Sequence, residues 1–179
     1  MRTRFVTAVA AAVSTAVIPL GVVPAAAQAE IGSVVCHGGS LTVQYNPGLN
    51  FSKRVVRLSA GGDLGLCTSQ EHPEITGGSI RVEGSLQASC PGPLGPGSTK
   101  VAIAWNDGST SVIDQSTFRG DIQGFRLDGG FVSQGPFLHG TSRADGRTTT
   151  GVRDIGGACV TGGVISYQST IDNFAAGEL

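Results

Sequence analysis

Three imidazoles, His37, His72 and His139, are the only side chains whose ordinary pKa suits a base near neutral pH. A serine nucleophile needs one of them beside it, and an exported hydrolase commonly displays that serine in Gly-x-Ser-x-Gly. Neither this pentapeptide nor Ser-x-x-Lys occurs. His37 adjoins Cys36 and Gly38-Gly39, His72 precedes Pro73 in a polar loop, and His139 follows Phe137-Leu138 as a strand residue. The densest set of metal-ligating types is Glu71, His72 and Glu74, and Pro73 between them forbids the helical i, i+4 pair of the usual zinc enzymes. Asp107, Asp128 and Asp145 could supply oxygens to calcium, but each precedes a glycine, and Asp-Gly is first a turn signal. Glycoside hydrolysis needs two carboxylates at a set separation, and no pair stands out among 13 acids. Arg119-Gly120-Asp121 is an integrin-type tripeptide that arises easily by chance. No catalytic residue, metal ligand or cofactor is assigned.

The stretch with most binding character is Thr99–Ile113, which holds the lone tryptophan. Val101, Ile103 and Trp105 share a face at the two-residue period of a strand, and Asn106-Asp107-Gly108 supplies residues suited to a tight hairpin turn. Trp105 is either a core plug beside Ile103 or a stacking surface for a sugar or partner side chain. In the second role Asn106 and Asp107 would make polar contacts. Trp105, Asn106 and Asp107 are therefore the candidate binding residues, with core placement the commoner fate for such a tryptophan.

Positioning these residues falls to a covalent framework and a set of strands. Cys36, Cys67, Cys90 and Cys159 make an even count with no Cys-x-x-Cys pair, which favours two disulfides over a zinc site. Of three pairings, Cys36 with Cys67 and Cys90 with Cys159 is preferred, because each would tie neighbouring strand-rich parts of the chain. The N-terminus reads as a secretory signal: basic Met1–Arg4, an apolar run from Phe5 to Val23, and small-x-small sites at Ala25-Ala26-Ala27 and Ala27-Gln28-Ala29. Residues 1–29 are assigned to it and 30–179 to a single secreted β domain, expected to be extracellular with no membrane attachment after cleavage. Without Arg2 and Arg4 the basic residues fall from 12 to 10 against 13 acidic ones. That balance, with lysines and arginines mostly scattered singly, excludes a nucleic-acid surface.

Ser40–Tyr45, Ser79–Ala88 and Val164–Ile171 alternate apolar with polar, each a half-buried strand with one wet face, and Arg54–Leu58 is a further strand candidate. The last of these is read with Ile165, Tyr167 and Ile171 on one face. Gly84, on the inward face of Ser79–Ala88, points to a bulge or to close approach by another backbone. Asn46-Pro47-Gly48 and Gly61-Gly62-Asp63 read as turn or break, and Pro91–Gly97 as irregular. Hairpins are expected about Asp128-Gly129-Gly130 and about Arg143–Gly146, the latter flanked by a strand over 147–153. No segment after the signal carries helical periodicity for more than a turn or two. About ten short strands result: an all-β fold, expected as an antiparallel β-sandwich, with a β-barrel as the alternative.

The landmarks Cys36-His-Gly38, Tyr45-Asn-Pro-Gly-Leu49, Cys67-Thr-Ser69, Ile75-Thr-Gly77, Ser89-Cys90, Trp105-Asn-Asp-Gly-Ser109 and Cys159 resemble those of small secreted actinobacterial proteins. The resemblance implies an exported, disulfide-linked β domain and no particular reaction. The expected function is a non-catalytic module whose partner is an extracellular protein or a cell-envelope polysaccharide. The rivals are a small extracellular hydrolase with paired carboxylates and a cell-surface protein that assembles through an exposed strand edge.

Overall fold

The computed structural model describes residues 33–178. The secretory signal assigned to residues 1–29 lies outside them. Eight strands and one helix follow in order: β1 (Ser33–Leu49), β2 (Arg54–Ser69), β3 (Gly78–Ala88), β4 (Leu94–Trp105), β5 (Thr110–Gly120), β6 (Gly124–Gln134), β7 (Thr141–Thr148), α1 (Val152–Thr161) and β8 (Val164–Gly177). Each strand pairs antiparallel with the next, and β8 returns to pair with β1 from Ser33↔Gly177 to Ser40↔Thr170. The fold is therefore a closed barrel of eight strands, the alternative arrangement rather than the expected sandwich of about ten. Alternation along a strand gives one wet and one dry face in either fold; only the β1–β8 pairing separates them, and no local pattern encodes it.

The strand count differs because glycine clusters read as turns lie inside strands. β2 runs unbroken through Gly61-Gly62-Asp63, which pair with Thr42, Leu41 and Ser40 of β1. Asp128-Gly129-Gly130 is an irregularity within β6, not a hairpin, and Gly130 takes φ +81° where the register with β7 shifts. Arg143–Gly146 lies in the middle of β7, whose hairpin partner is joined through residues 135–140. Asn46-Pro47-Gly48 closes β1 within an irregular stretch of its ladder with β8, and the strand of β4 begins at Leu94, inside the segment read as irregular. Such irregularities let long strands coil tightly enough to close a small barrel. Gly84 is the close approach read from sequence: it pairs with Thr99, and a β-carbon there would meet the Thr99 α-carbon at 3.0 Å and its Cγ2 at 2.7 Å.

The interior is filled by side chains from all eight strands, including Leu41, Val56, Val82, Ile103, Phe118 and Phe174. Phe118 and Phe125 stack with ring centres 6.1 Å apart. Three buried hydroxyls find backbone acceptors: Thr99 donates to the Ser116 carbonyl at 3.1 Å, and Ser116 and Ser142 both donate to the Gly129 carbonyl.

The two barrel ends are plugged differently. One carries the connections at 70–77, 106–109 and 135–140; there Phe137, buried at φ +67°, meets Trp105 edge-on at 5.8 Å and His72 at 5.3 Å. The other carries the connections at 50–53, 89–93 and 121–123 together with α1, which inserts Ile155 and Cys159. That helix occupies part of the segment read as a strand over 147–153. Its periodicity is only one i, i+4 apolar pair, it contains Gly156 and Gly157, and no side chain caps its start. Local propensity does not sustain such a helix, so its hold on the barrel must. The disulfides are Cys36–Cys67, joining paired positions of β1 and β2, and Cys90–Cys159, joining α1 to the β3–β4 connection. Ile165 departs from the face assigned to it: Tyr167 and Ile171 point inward, while Ile165 is 66% exposed.

Candidate functional site

The hairpin that looked most suited to binding spends its side chains internally. Alternation in β4 carries Trp105 into the barrel, and its Nε1–H donates to Ser111 Oγ at 2.9 Å. Asn106 Oδ1 accepts the backbone N–H groups of Thr76 (2.8 Å) and Gly77 (3.1 Å), and its Nδ2 donates to the Glu74 carbonyl (2.9 Å). It thus latches the β2–β3 connection to the β4–β5 turn. Asp107 Oδ1 accepts from the Ser109 hydroxyl (2.7 Å) and backbone N–H (2.8 Å), which hold its carboxyl below the usual range. The structure brings these three residues together, with Trp105 buried and Asn106 and Asp107 exposed and hydrogen-bonded to neighbouring groups.

The possible catalytic groups stay apart. His37 Nδ1 lies 3.1 Å from Asn173 Oδ1 on the outer wall, and Asn173 Nδ2 reaches Asp145 at 3.3 Å. His72 packs beside Glu74 at 3.3 Å and on Phe137, and His139 is exposed on the 135–140 connection. Asp107, Asp114 and Asp172 all have lowered carboxyl pKa values, through Ser109, Ser133 and Arg147 respectively. A glycosidase acid requires the opposite displacement. No three His, Cys, Asp or Glu residues among those described converge on a possible metal position.

A different feature emerges on the outer wall. Strand register sets Gln44, Ser59, Glu83 and Lys100 in one row across β1–β4, with Thr42, Gly61 and Arg81 in a row on one side and Asn46, Arg57, Ser85 and Ser98 in a row on the other. Small residues lie between long charged or amide side chains, so the wall is hollowed. Three concavities of about 460, 250 and 730 Å³ result, and Ser59 lines all three. Together they form one trough from Ile165 and Ser166 of β8 to Ser98 and Lys100 of β4. At its margins Lys100 pairs with Asp114 at 3.4 Å, and Thr42 donates to Gln168 at 3.0 Å. The trough offers hydroxyl, amide, carboxylate and guanidinium groups in neighbouring rows, a set that binds hydroxyl-bearing ligands by hydrogen bonds.

Sequence reading did not find this trough, because its residues come from five strands and only ladder register aligns them. The legible part was the wet face of β3, with Arg81, Glu83 and Ser85 outward. Comparison of the chain with protein-family models, with curated proteins and with solved structures finds no match.

Proposed function

We propose that the protein is a secreted, non-catalytic module that holds an extended, hydroxyl-rich chain, a cell-envelope polysaccharide, along the trough over β8 and β1–β4. The observation that carries this reading is the merging of three concavities at Ser59, bordered by Gln44, Arg57, Arg81 and Glu83. Two disulfides suit an oxidising compartment. A polysaccharide is favoured over an extended polypeptide because the closed barrel has no edge strand to which a peptide could add. The same closure removes the edge through which a self-assembling surface protein would grow.

Titration of isotope-labelled protein with soluble envelope polysaccharide fragments tests the reading. Amide shifts should concentrate at Gln44, Ser59, Glu83 and Ser98, and Ser59→Leu, which fills the trough floor, should weaken binding at least tenfold. Shifts centred elsewhere, or release of new reducing ends from the polysaccharide, would overturn it.

A further inference from the structure

Among the described residues, five of the eight exposed large apolar side chains lie at one end of the barrel. Phe51 (63% exposed) is on the β1–β2 turn, Val55 (64%) at the start of β2, Val152 (57%) and Val160 (73%) on α1, and Ile165 (66%) at the start of β8. Basic side chains share that end: Lys53, Arg54, Arg119, Arg126 and Arg153, against the acids Asp121 and Asp154. Lys53, Arg119, Arg126 and Arg153 are exposed and have no ion-pair partner among the described residues. Arg119 and Arg126 stand directly opposite each other across β5 and β6, a like-charge pairing that costs stability unless an anion relieves it. The other end has the opposite sign. Its connections hold Glu71, Glu74 and Asp107, with Glu178 following β8, and contain no lysine or arginine.

From this axial separation of charge, combined with exposed apolar side chains only at intervals among the basic ones, we propose that the α1 end docks on an anionic lipid surface. Apolar side chains entering the headgroup layer while neighbouring lysines and arginines contact acidic headgroups is the pattern of interfacial binding. A protein-binding core would instead be contiguous and depleted of charge. The acidic end then faces away from the negative surface, so the charge along the barrel axis also orients the molecule. One end of the trough, at Ile165, borders the docked surface, while its row of Thr42, Gly61 and Arg81 lies further along the side wall, away from that end. This departs from the sequence expectation of no membrane contact, and it does not rest on the polysaccharide reading.

Disulfide-intact protein recovered from the culture fluid of an exporting host can be sedimented with vesicles of phosphatidylcholine, alone or with one quarter phosphatidylglycerol. At low salt, retention should be at least tenfold greater with phosphatidylglycerol and should fall as salt is added. Phe51→Asp and Lys53→Glu/Arg153→Glu should each reduce it at least tenfold, while Leu66→Asp, an exposed apolar position toward the acidic end, should leave it unchanged. In Phe51→Trp, added vesicles should shift emission to the blue. Equal retention by both vesicles, an equal loss in Leu66→Asp, or binding of soluble polyphosphate with no vesicle binding would each overturn the proposal. Ser59→Leu keeps vesicle retention whatever it does to polysaccharide, so the two readings fail separately.

Discussion

Tyr45 and Tyr167 meet hydroxyl to hydroxyl at 3.0 Å inside the barrel, their rings 5.8 Å apart, across the β1–β8 seam that closes it. They are the only two tyrosines in the chain, so tyrosinate absorbance reports on this contact alone. Burial, with each ring's proximity to the other, raises Tyr45 well above its usual pKa, and burial pushes Tyr167 up to about 12. Both groups are acids held neutral by the fold, while in the unfolded chain they ionise near about 10. Their contribution is therefore complete below pH of about 10 and is lost as pH rises toward about 12, with the unfolded state releasing protons first. The expected outcome is an alkaline titration in which tyrosinate absorbance stays flat through the normal range and then rises together with loss of β structure. Tyr167→Phe should cost about 1–3 kcal/mol by leaving the Tyr45 hydroxyl buried without its partner, whereas the double phenylalanine variant should recover much of that. Denaturant midpoints of the three proteins check the order.

The α1 plug depends on its covalent tie. The Cys90–Cys159 bond spans 69 residues, and closing a loop of that length removes unfolded-state entropy worth up to about 4 kcal/mol. Cys90→Ser/Cys159→Ser should therefore lower stability by about 2–4 kcal/mol, with the loss uneven along the chain. Gly156 and Gly157 each cost α1 about 1 kcal/mol relative to alanine, and its N-terminus has no side-chain cap. Amide exchange should show α1 opening long before the β1–β2 ladder. Uniform acceleration across all strands would mean that the helix and barrel unfold as one unit.

What the sequence made legible follows from range along the chain. Period-two alternation in Ser79–Ala88 reports its two faces directly, and β3 buries Ile80, Val82, Leu86 and Ala88 as that pattern requires. Both disulfides match the pairing preferred among the three possible, although Cys159 lies in α1 and Cys90 in a connection rather than in strand-rich stretches. The β1–β8 pairing that makes a barrel joins positions as far apart as Ser33 and Gly177 and leaves no local trace. Gly61-Gly62 and Gly129-Gly130 look like turns because glycine serves equally a chain reversal and a sharply coiled strand, and ladder partners decide between them. Trp105 shows the same limit at the candidate site. Its inward phase was visible, but the Ser111 hydroxyl that satisfies its N–H was not, and neither was the use of Asn106 as a latch. The trough depends on four ladders at once, so its residues cannot be picked from any one segment.

Asn106 ties two connections of the acidic end together. Its amide makes three hydrogen bonds to the backbone of residues 74, 76 and 77, a connection otherwise held by Cys67 N–H to Thr76 O (3.0 Å), Ile75 N–H to His72 O (2.9 Å) and Asn106 N–H to Gly77 O (3.1 Å). Ile75 in that connection is fully buried, so loosening the latch also admits water beneath it. Asn106→Ala should cost about 1–3 kcal/mol and speed amide exchange at Thr76 and Gly77. Asn106→Asp separates the two halves of the contact: its carboxylate still accepts the two N–H groups, but the oxygen replacing Nδ2 faces the Glu74 carbonyl with no proton between them. Exchange at Thr76 and Gly77 should then remain slower than in Asn106→Ala, and protonating the new carboxyl at low pH should restore the donor to Glu74. Stability rising as pH falls through the carboxylate range, in Asn106→Asp relative to the parent protein, is the expected signature. An Asn106→Asp variant as loose as Asn106→Ala at every pH would assign the latch to backbone contacts and not to this side chain.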